Sequence, residues 1–299
     1  MKWEGNRESD NVEDRRDDSG GGGGGGFGGL PIGGRGVGIG TIAVALIAGW
    51  IFGINPLTLL GALSGGGGAP VVQQQPQQPA HAPPANDEAA KFVSTVLADT
   101  EDVWTDLFKQ RGGTYQDPKL VLYRGAIPTA CGTGQSAMGP FYCPGDRKVY
   151  LDLNFFDTLK RQLGAPGEFA EAYVVAHEVG HHVQNLLGIS DKVDSMRGRI
   201  SQTDSNALSV RVELQADCFA GVWANHAQAS RHILENGDIE SAMNAAAKIG
   251  DDALQRSAGR SVMPDSFTHG SSAQRQRWFM TGIQTGSMKA CDTFNTRSL

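Results

Sequence analysis

EAYVVAHEVGHHVQNLLG, residues 171–188, governs the reading of the whole chain. His177 and His181 stand four apart in a run with helical apolar spacing, so both imidazoles lie on one helix face with Cβ atoms about 5–6 Å apart. Two neutral imidazoles so placed suit one zinc ion, and a catalytic zinc keeps a remaining position for water. Glu178 lies beside that water. Zinc brings the pKa of a water towards 7, and a neighbouring carboxylate can take its proton as the oxygen attacks a carbonyl, then return it to the leaving amine. Tyr173, Val174, Val175, Ala176, Val179 and Val183 bury the rest of the helix, and Gly180 lets another element approach closely. His182 points about 100° away from His181 and reads as a supporting or core histidine rather than a ligand.

A motif this short needs a third ligand. The residues after His181 do not extend it with another histidine at metal spacing, so the ligand comes from elsewhere. In RVELQADCFAGVWA, residues 211–224, Glu213 and Asp217 share one helix face at i and i+4, and the apolar residues between and after them leave little solvent-exposed surface. Glu213 is the expected third ligand. Asp217 is placed to accept the N–H of His177, fixing its tautomer and raising its basicity. In SFTHGSSAQRQRWF, residues 266–279, His269 precedes a helix capped by Ser271 or Ser272 and is a candidate donor to a tetrahedral oxyanion, with a surface-loop histidine as the alternative. KVYLDLNFF, residues 148–156, alternates as a strand and is the candidate edge for pairing with extended peptide.

HEVGHHVQN, ELQADCFAGVWA and SFTHGSSAQRQRWF together resemble the bacterial putative neutral zinc metallopeptidase family, with the gluzincin arrangement of HExxH plus a downstream Glu. The resemblance covers about residues 87–292 and the N-terminal anchor. It implies Zn2+ held by His177, His181 and Glu213 with Glu178 as catalytic base, in agreement with the residue-level reading. It leaves side-chain specificity open.

Upstream the texture is different. Residues 1–35 are polar, charged and then glycine-rich, and read as a disordered cytosolic tail. Residues 36–54 carry no charge and are just long enough to cross a bilayer core, giving an expected transmembrane anchor over 36–63. Lys2, Arg7, Arg15, Arg16 and Arg35 precede it and no Lys or Arg follows until Lys91, which orients the N-terminus to the cytosol and the remainder to the periplasm or exterior, from the bacterial inner membrane. A cleaved signal peptide ending near Ala62 and Ser64, or a buried core helix, are the competing readings. Residues 64–86 form a Gly/Pro/Gln-rich linker, and residues 87–299 the metallopeptidase domain.

Within that domain, helical spacing over 88–110, 168–187, 205–229, 239–254 and 271–282 surrounds short β-rich runs between 120 and 159. The expected class is α+β: a mainly helical zincin-like domain with a small antiparallel sheet. The net charge of -6 and the absence of basic clusters argue against nucleic acid as a partner. Four cysteines are present. Cys131 and Cys143 bracket a turn-rich stretch and are expected to form a disulfide worth roughly 3 kcal/mol. Cys218 falls in an apolar helical run where a free buried thiol is the ordinary reading, so its pairing with Cys291 stays open. The function expected is a membrane-tethered zinc metalloendopeptidase acting on peptide or protein substrates; the alternative is a membrane-tethered zinc-containing binding or assembly protein without turnover.

Overall fold

The computed structural model describes residues 1–18 and 81–299. The expected anchor, residues 36–63, and most of the linker lie outside the described residues. Among the described residues no helix is long and apolar enough to cross a membrane.

Helix α1 (Glu88–Gln110) starts where Asp87 accepts the N–H of Ala90, and buries Phe92, Val96, Trp104 and Leu107 on the stripe the sequence predicts. Before it comes an element that sequence reading missed. Residues 12–14 form strand β1 (Val12–Asp14), paired parallel with β2 (Lys119–Leu122). The expectation of a disordered tail therefore fails for residues 1–18, which belong to the same compact unit as residues 81–299. Several of their polar side chains have specific partners elsewhere in that unit, Arg7 with Glu101 and Asp102, Glu13 with Lys119 and Lys148, and Arg16 with Asp87, so their order does not rest on apolar burial alone.

The hairpin β3 (Ala126–Thr129) and β4 (Gly132–Gln135) is a separate two-stranded sheet, followed by β5 (Phe141–Cys143) and β6 (Lys148–Leu151). The main sheet runs β1-β2-β6-β5, with β1, β2 and β6 parallel and β5 antiparallel. The expected antiparallel sheet is thus corrected to a mixed one. The long excursion through the β3–β4 hairpin brings the chain back for a parallel pairing, whereas the short turn between β5 and β6 permits only an antiparallel one. The candidate substrate edge is corrected too, because β6 lies between β2 and β5 with both edges occupied and the strand ends at Leu151. Residues from Asn154 onward instead form α2 (Asn154–Arg161). The Cys131–Cys143 disulfide ties the hairpin to β5.

The helical layer comprises α3 (Glu168–Leu186), α4 (Ile189–Arg197), α5 (Gln202–Arg231), α6 (Asp238–Lys248), α7 (Asp251–Ser257) and α8 (Ser272–Thr285). The single helix expected over 239–254 breaks at Gly250, where an added Cβ would lie 2.5 Å from the backbone nitrogen of Ser272. Two close crossings position the site. Gly180 of α3 faces Ala216 of α5, where a Cβ would meet the Ala216 carbonyl oxygen at 3.0 Å. Gly221 of α5 faces Gly282 of α8 so tightly that a Cβ at Gly221 would fall 2.1 Å from the Phe279 carbonyl oxygen. A second disulfide, Cys218–Cys291, locks α5 to the C-terminal turn, so the ordinary reading of Cys218 as a free thiol is replaced by a crosslink. The two residues are distant in sequence and meet only because α8 reverses the chain across α5.

Candidate metal centre

The Gly180–Ala216 crossing sets the HExxH face of α3 against the acidic face of α5. His177 Nε2 lies 3.2 Å from Glu213 Oε2, and His181 Nε2 lies 3.4 Å from Glu213 Oε1. One donor atom from each of the three residues falls within 4.8 Å of the others. A tetrahedron with metal–ligand legs near the usual zinc values of about 2.0–2.1 Å has edges of about 3.4 Å, so the separations from Glu213 fit a zinc ion. The donor set of two imidazoles and one carboxylate fits it chemically as well.

Each imidazole presents Nε2 to this point because its Nδ1 is engaged elsewhere. His177 Nδ1 donates to Asp217 Oδ1 at 2.8 Å, and Asp217 is fully buried. The same carboxylate accepts the Tyr173 hydroxyl at 2.5 Å and two N–H groups of Arg275, each at 2.8 Å. His181 Nδ1 donates to Gln184 Oε1 at 2.9 Å, and the Gln184 amide donates onward to the Val212 carbonyl at 2.7 Å and Gln215 Oε1 at 3.0 Å. Gln215 in turn donates to the Cys291 carbonyl at 2.9 Å.

The electrostatics follow from these partners. Burial opposes the charged form of His177, but Asp217 and Glu213 outweigh it and hold its pKa up at about 10. Burial likewise opposes ionised Asp217, yet Arg275 and His177 bring it down to about 2. Glu213 is held well below the ordinary carboxylate range, burial being overcome by His181 and His177. Glu178, 7% exposed, moves the other way: burial pushes its carboxyl above the usual value despite His177 and His181.

The charge of Glu213 also acts on His269. Asp251, the first residue of α7, accepts the backbone N–H groups of Thr268, His269 and Gly270 on one oxygen and His269 Nδ1 at 3.1 Å on the other. Burial opposes the His269 imidazolium, but Asp251 and Glu213 raise its pKa. His182 turns away into the core: its Nε2 donates to the Gln116 carbonyl at 2.6 Å, its Nδ1 accepts from Tyr142 at 3.0 Å, and burial lowers its pKa to about 4.

Of the residues sequence reasoning assembled, the structure brings His177, His181 and Glu213 together and sets Asp217 behind His177, while Glu178 is buried on the same helix as the two histidines and His269 is held by Asp251. Sequence reasoning did not identify Tyr173, Gln184, Asp251 or Arg275. Arg275 could have been suspected from its phase, since it sits three residues before buried Trp278 and four before buried Phe279.

A family profile described as "Putative neutral zinc metallopeptidase" matches residues 1–294. The chain is 53% identical over 294 residues to "Uncharacterized protein YpfJ" of Escherichia coli strain K12, covering 98% of this chain and 99% of that protein. It is 42% identical over 262 residues to "Uncharacterized protein Rv2575" of Mycobacterium tuberculosis strain H37Rv, covering 81% of this chain and 86% of that protein. No solved structure matches.

Proposed function

The chain belongs to the putative neutral zinc metallopeptidase family, whose cofactor is Zn2+, and from that premise we propose that it is an endopeptidase in which His177, His181 and Glu213 hold the zinc and Glu178 is the general base. The observation that carries this reading is the convergence of both Nε2 atoms on Glu213, with each Nδ1 tied back by a separate acceptor. Bound zinc supplies a Lewis acid that polarises the scissile carbonyl and acidifies a water.

The chain's own groups do the rest. Glu178 takes a proton from the attacking water and delivers it to the leaving nitrogen, and its raised pKa brings it closer to the operating range of such a base. Asp251 orients His269, whose Nε2–H is offered to the oxygen that gains charge, a role favoured by the raised proton affinity of that ring. Extended substrate backbone pairs with β5, the outer strand beside β6 and packed against α3, in place of the occupied β6. Two disulfides favour an oxidising compartment, the periplasm or the cell exterior. The apolar sequence of residues 36–54 supports attachment to a membrane.

The test compares full-length wild type, Glu178→Gln and Glu213→Ala for metal content and for cleavage of a mixed peptide library. One zinc per chain in wild type and Glu178→Gln, with its loss in Glu213→Ala and cleavage only by wild type, is expected. Unchanged proteolysis by Glu178→Gln would refute the base assignment, and zinc without cleavage by wild type would move the chain to the binding or assembly reading.

A further inference from the structure

The three residues of β5 divide between two neighbours. Side chains alternate along a strand, and Phe141 and Cys143 join the small cluster of Tyr123, Ile127 and Tyr150 under the β3–β4 hairpin. Tyr142 alone faces α3. Its oxygen accepts the Asn185 side-chain N–H at 3.0 Å and lies 3.0 Å from His182 Nδ1. One arrangement of protons satisfies every member of this chain. The Gln116 carbonyl, 2.6 Å from His182 Nε2, can only accept, so that nitrogen carries a proton, and Nδ1 of the neutral ring then accepts from the Tyr142 O–H. His182 is fully buried, and the rings of Tyr115 and Tyr142 meet it edge-on at 5.7 and 5.4 Å, so its position is fixed from two sides.

The residues that hold Tyr142 lie on a particular stripe of the helix. Glu178, His181, His182 and Asn185 stand at i, i+3, i+4 and i+7, which is one helix face. The pair that grips the phenol therefore continues the face that bears the proposed base and a proposed zinc ligand. β5 is paired with β6 on its inner side and, among the described residues, with no strand on its outer side, so backbone groups there are open to an extended chain. Among the described residues, Tyr142 makes the only hydrogen bonds between β5 and α3.

We infer that Tyr142 is a positioning residue for the peptide substrate: held by His182 and Asn185, it sets the separation between the β5 edge and the zinc-binding helix. The inference rests on the reading of β5 as the strand that pairs with substrate. The partners of Tyr142 are not among the proposed zinc ligands, and pairing with an edge strand is made alike in the ground and transition states. Its loss therefore shows in KM rather than in kcat or metal affinity.

Full-length Tyr142→Phe keeps the ring and removes the hydroxyl. On a cleaved peptide of eight or more residues drawn from the mixed library, KM should rise about tenfold, the worth of one or two hydrogen bonds, with kcat within about twofold and zinc affinity equal to wild type in competitive titration. An unchanged KM, or a loss confined to stability, kcat or zinc, overturns the inference and leaves the peptidase reading standing. Asn185→Ala keeps the phenol and removes one of its two partners; it should raise KM by less, and it decides the matter where Tyr142→Phe does not fold. A second measurement needs no turnover. In Glu178→Gln, hydrogen exchange of residues 141–143 should slow when a mixed octapeptide library is added and stay as it was with a dipeptide library too short to span the strand, and Tyr142→Phe on that background should abolish the protection. Protection that survives the substitution, or no protection by either library, overturns the inference. If wild type cleaves no peptide, the peptidase reading fails, and the exchange measurement still decides whether Tyr142 holds a peptide-binding edge.

Discussion

His177 and His181 stand one turn apart on the same helix and are held by opposite kinds of chemistry. Behind His177 is an ionic bay, Asp217 with Arg275 and Tyr173, in which Arg275 is 2% exposed and Asp217 not exposed at all. Behind His181 is a neutral relay of amides, Gln184 to Gln215 to the Cys291 carbonyl. Both solutions fix the same tautomer and aim Nε2 at the same point. They differ in what their failure costs, since a buried charge that loses its partner is far more expensive than a buried amide that loses a hydrogen bond. An anionic acceptor also makes the imidazole it supports a stronger donor to metal than an amide does.

The largest effect should therefore come from Asp217→Ala. It strands the Arg275 guanidinium in the core and releases the His177 ring, costing about 3–5 kcal/mol of folding stability and about 100-fold in zinc affinity. Urea unfolding of metal-free protein and competitive zinc titration measure the two. If Gln184→Ala proves as damaging, the contrast between the bays is wrong.

Next in size is the Cys218–Cys291 crosslink, which spans 73 residues of sequence and by loop-closure entropy should contribute about 4 kcal/mol. Cys291 also supplies the carbonyl that anchors the neutral relay. The double variant Cys218→Ser, Cys291→Ser should lose stability and also weaken zinc, whereas the double serine variant of Cys131 and Cys143, with a separation of 12, should lose about 3 kcal/mol and keep its zinc affinity. Equal zinc affinity in both variants would detach the relay from the metal.

Acid and base act on the ionic bay in opposite directions. The Asp217 pKa is depressed to about 2, so its contribution is present above its ordinary pKa near 4 and is lost as the pH falls towards 2. The His177 pKa is raised to about 10, so in the metal-free chain its contribution is full below its ordinary pKa of 6.5 and disappears as the pH rises towards 10. Zinc competes with that proton. Apparent zinc affinity should rise about tenfold per pH unit between pH 7 and 9, with at least one proton released on binding in calorimetry across buffers of different ionisation enthalpy. A flat profile would mean that His177 is already neutral without metal.

How far the sequence reveals this arrangement depends on how local each signal is. HExxH, Glu213 with Asp217, and Cys131 with Cys143 are each contained in a short stretch, so spacing alone places them on one helix face or around one turn. Arg275 reads as part of a polar run until α8 crosses α5 at Gly221 and Gly282 and delivers it to Asp217. Tyr173 counts as one more apolar position on α3, although its hydroxyl completes the bay. Strand alternation predicts β6 but carries no information on its neighbours, which is why the substrate edge was misassigned. Residues 1–18 depart from the compositional expectation because their order comes from ion pairs and strand pairing with segments about seventy or more residues away, which a test for apolar content does not detect.

The smallest effect expected is that of Gln184→Ala, about 1–2 kcal/mol in stability and about tenfold in zinc affinity, and a companion variant sharpens its meaning. Gln184→Glu would give His181 an anionic acceptor like that of His177, and on charge alone should strengthen zinc binding. The position does not permit it, because the Gln184 amide donates to the Val212 carbonyl at 2.7 Å and to Gln215 Oε1 at 3.0 Å. A carboxylate there would face two acceptors with no proton to offer and no cation to match Arg275. Gln184→Glu should therefore bind zinc no better than Gln184→Ala, and be less stable than wild type by a wider margin. Tighter zinc binding in Gln184→Glu would show that charge behind the imidazole matters more than a satisfied relay, and that the two bays differ only in degree.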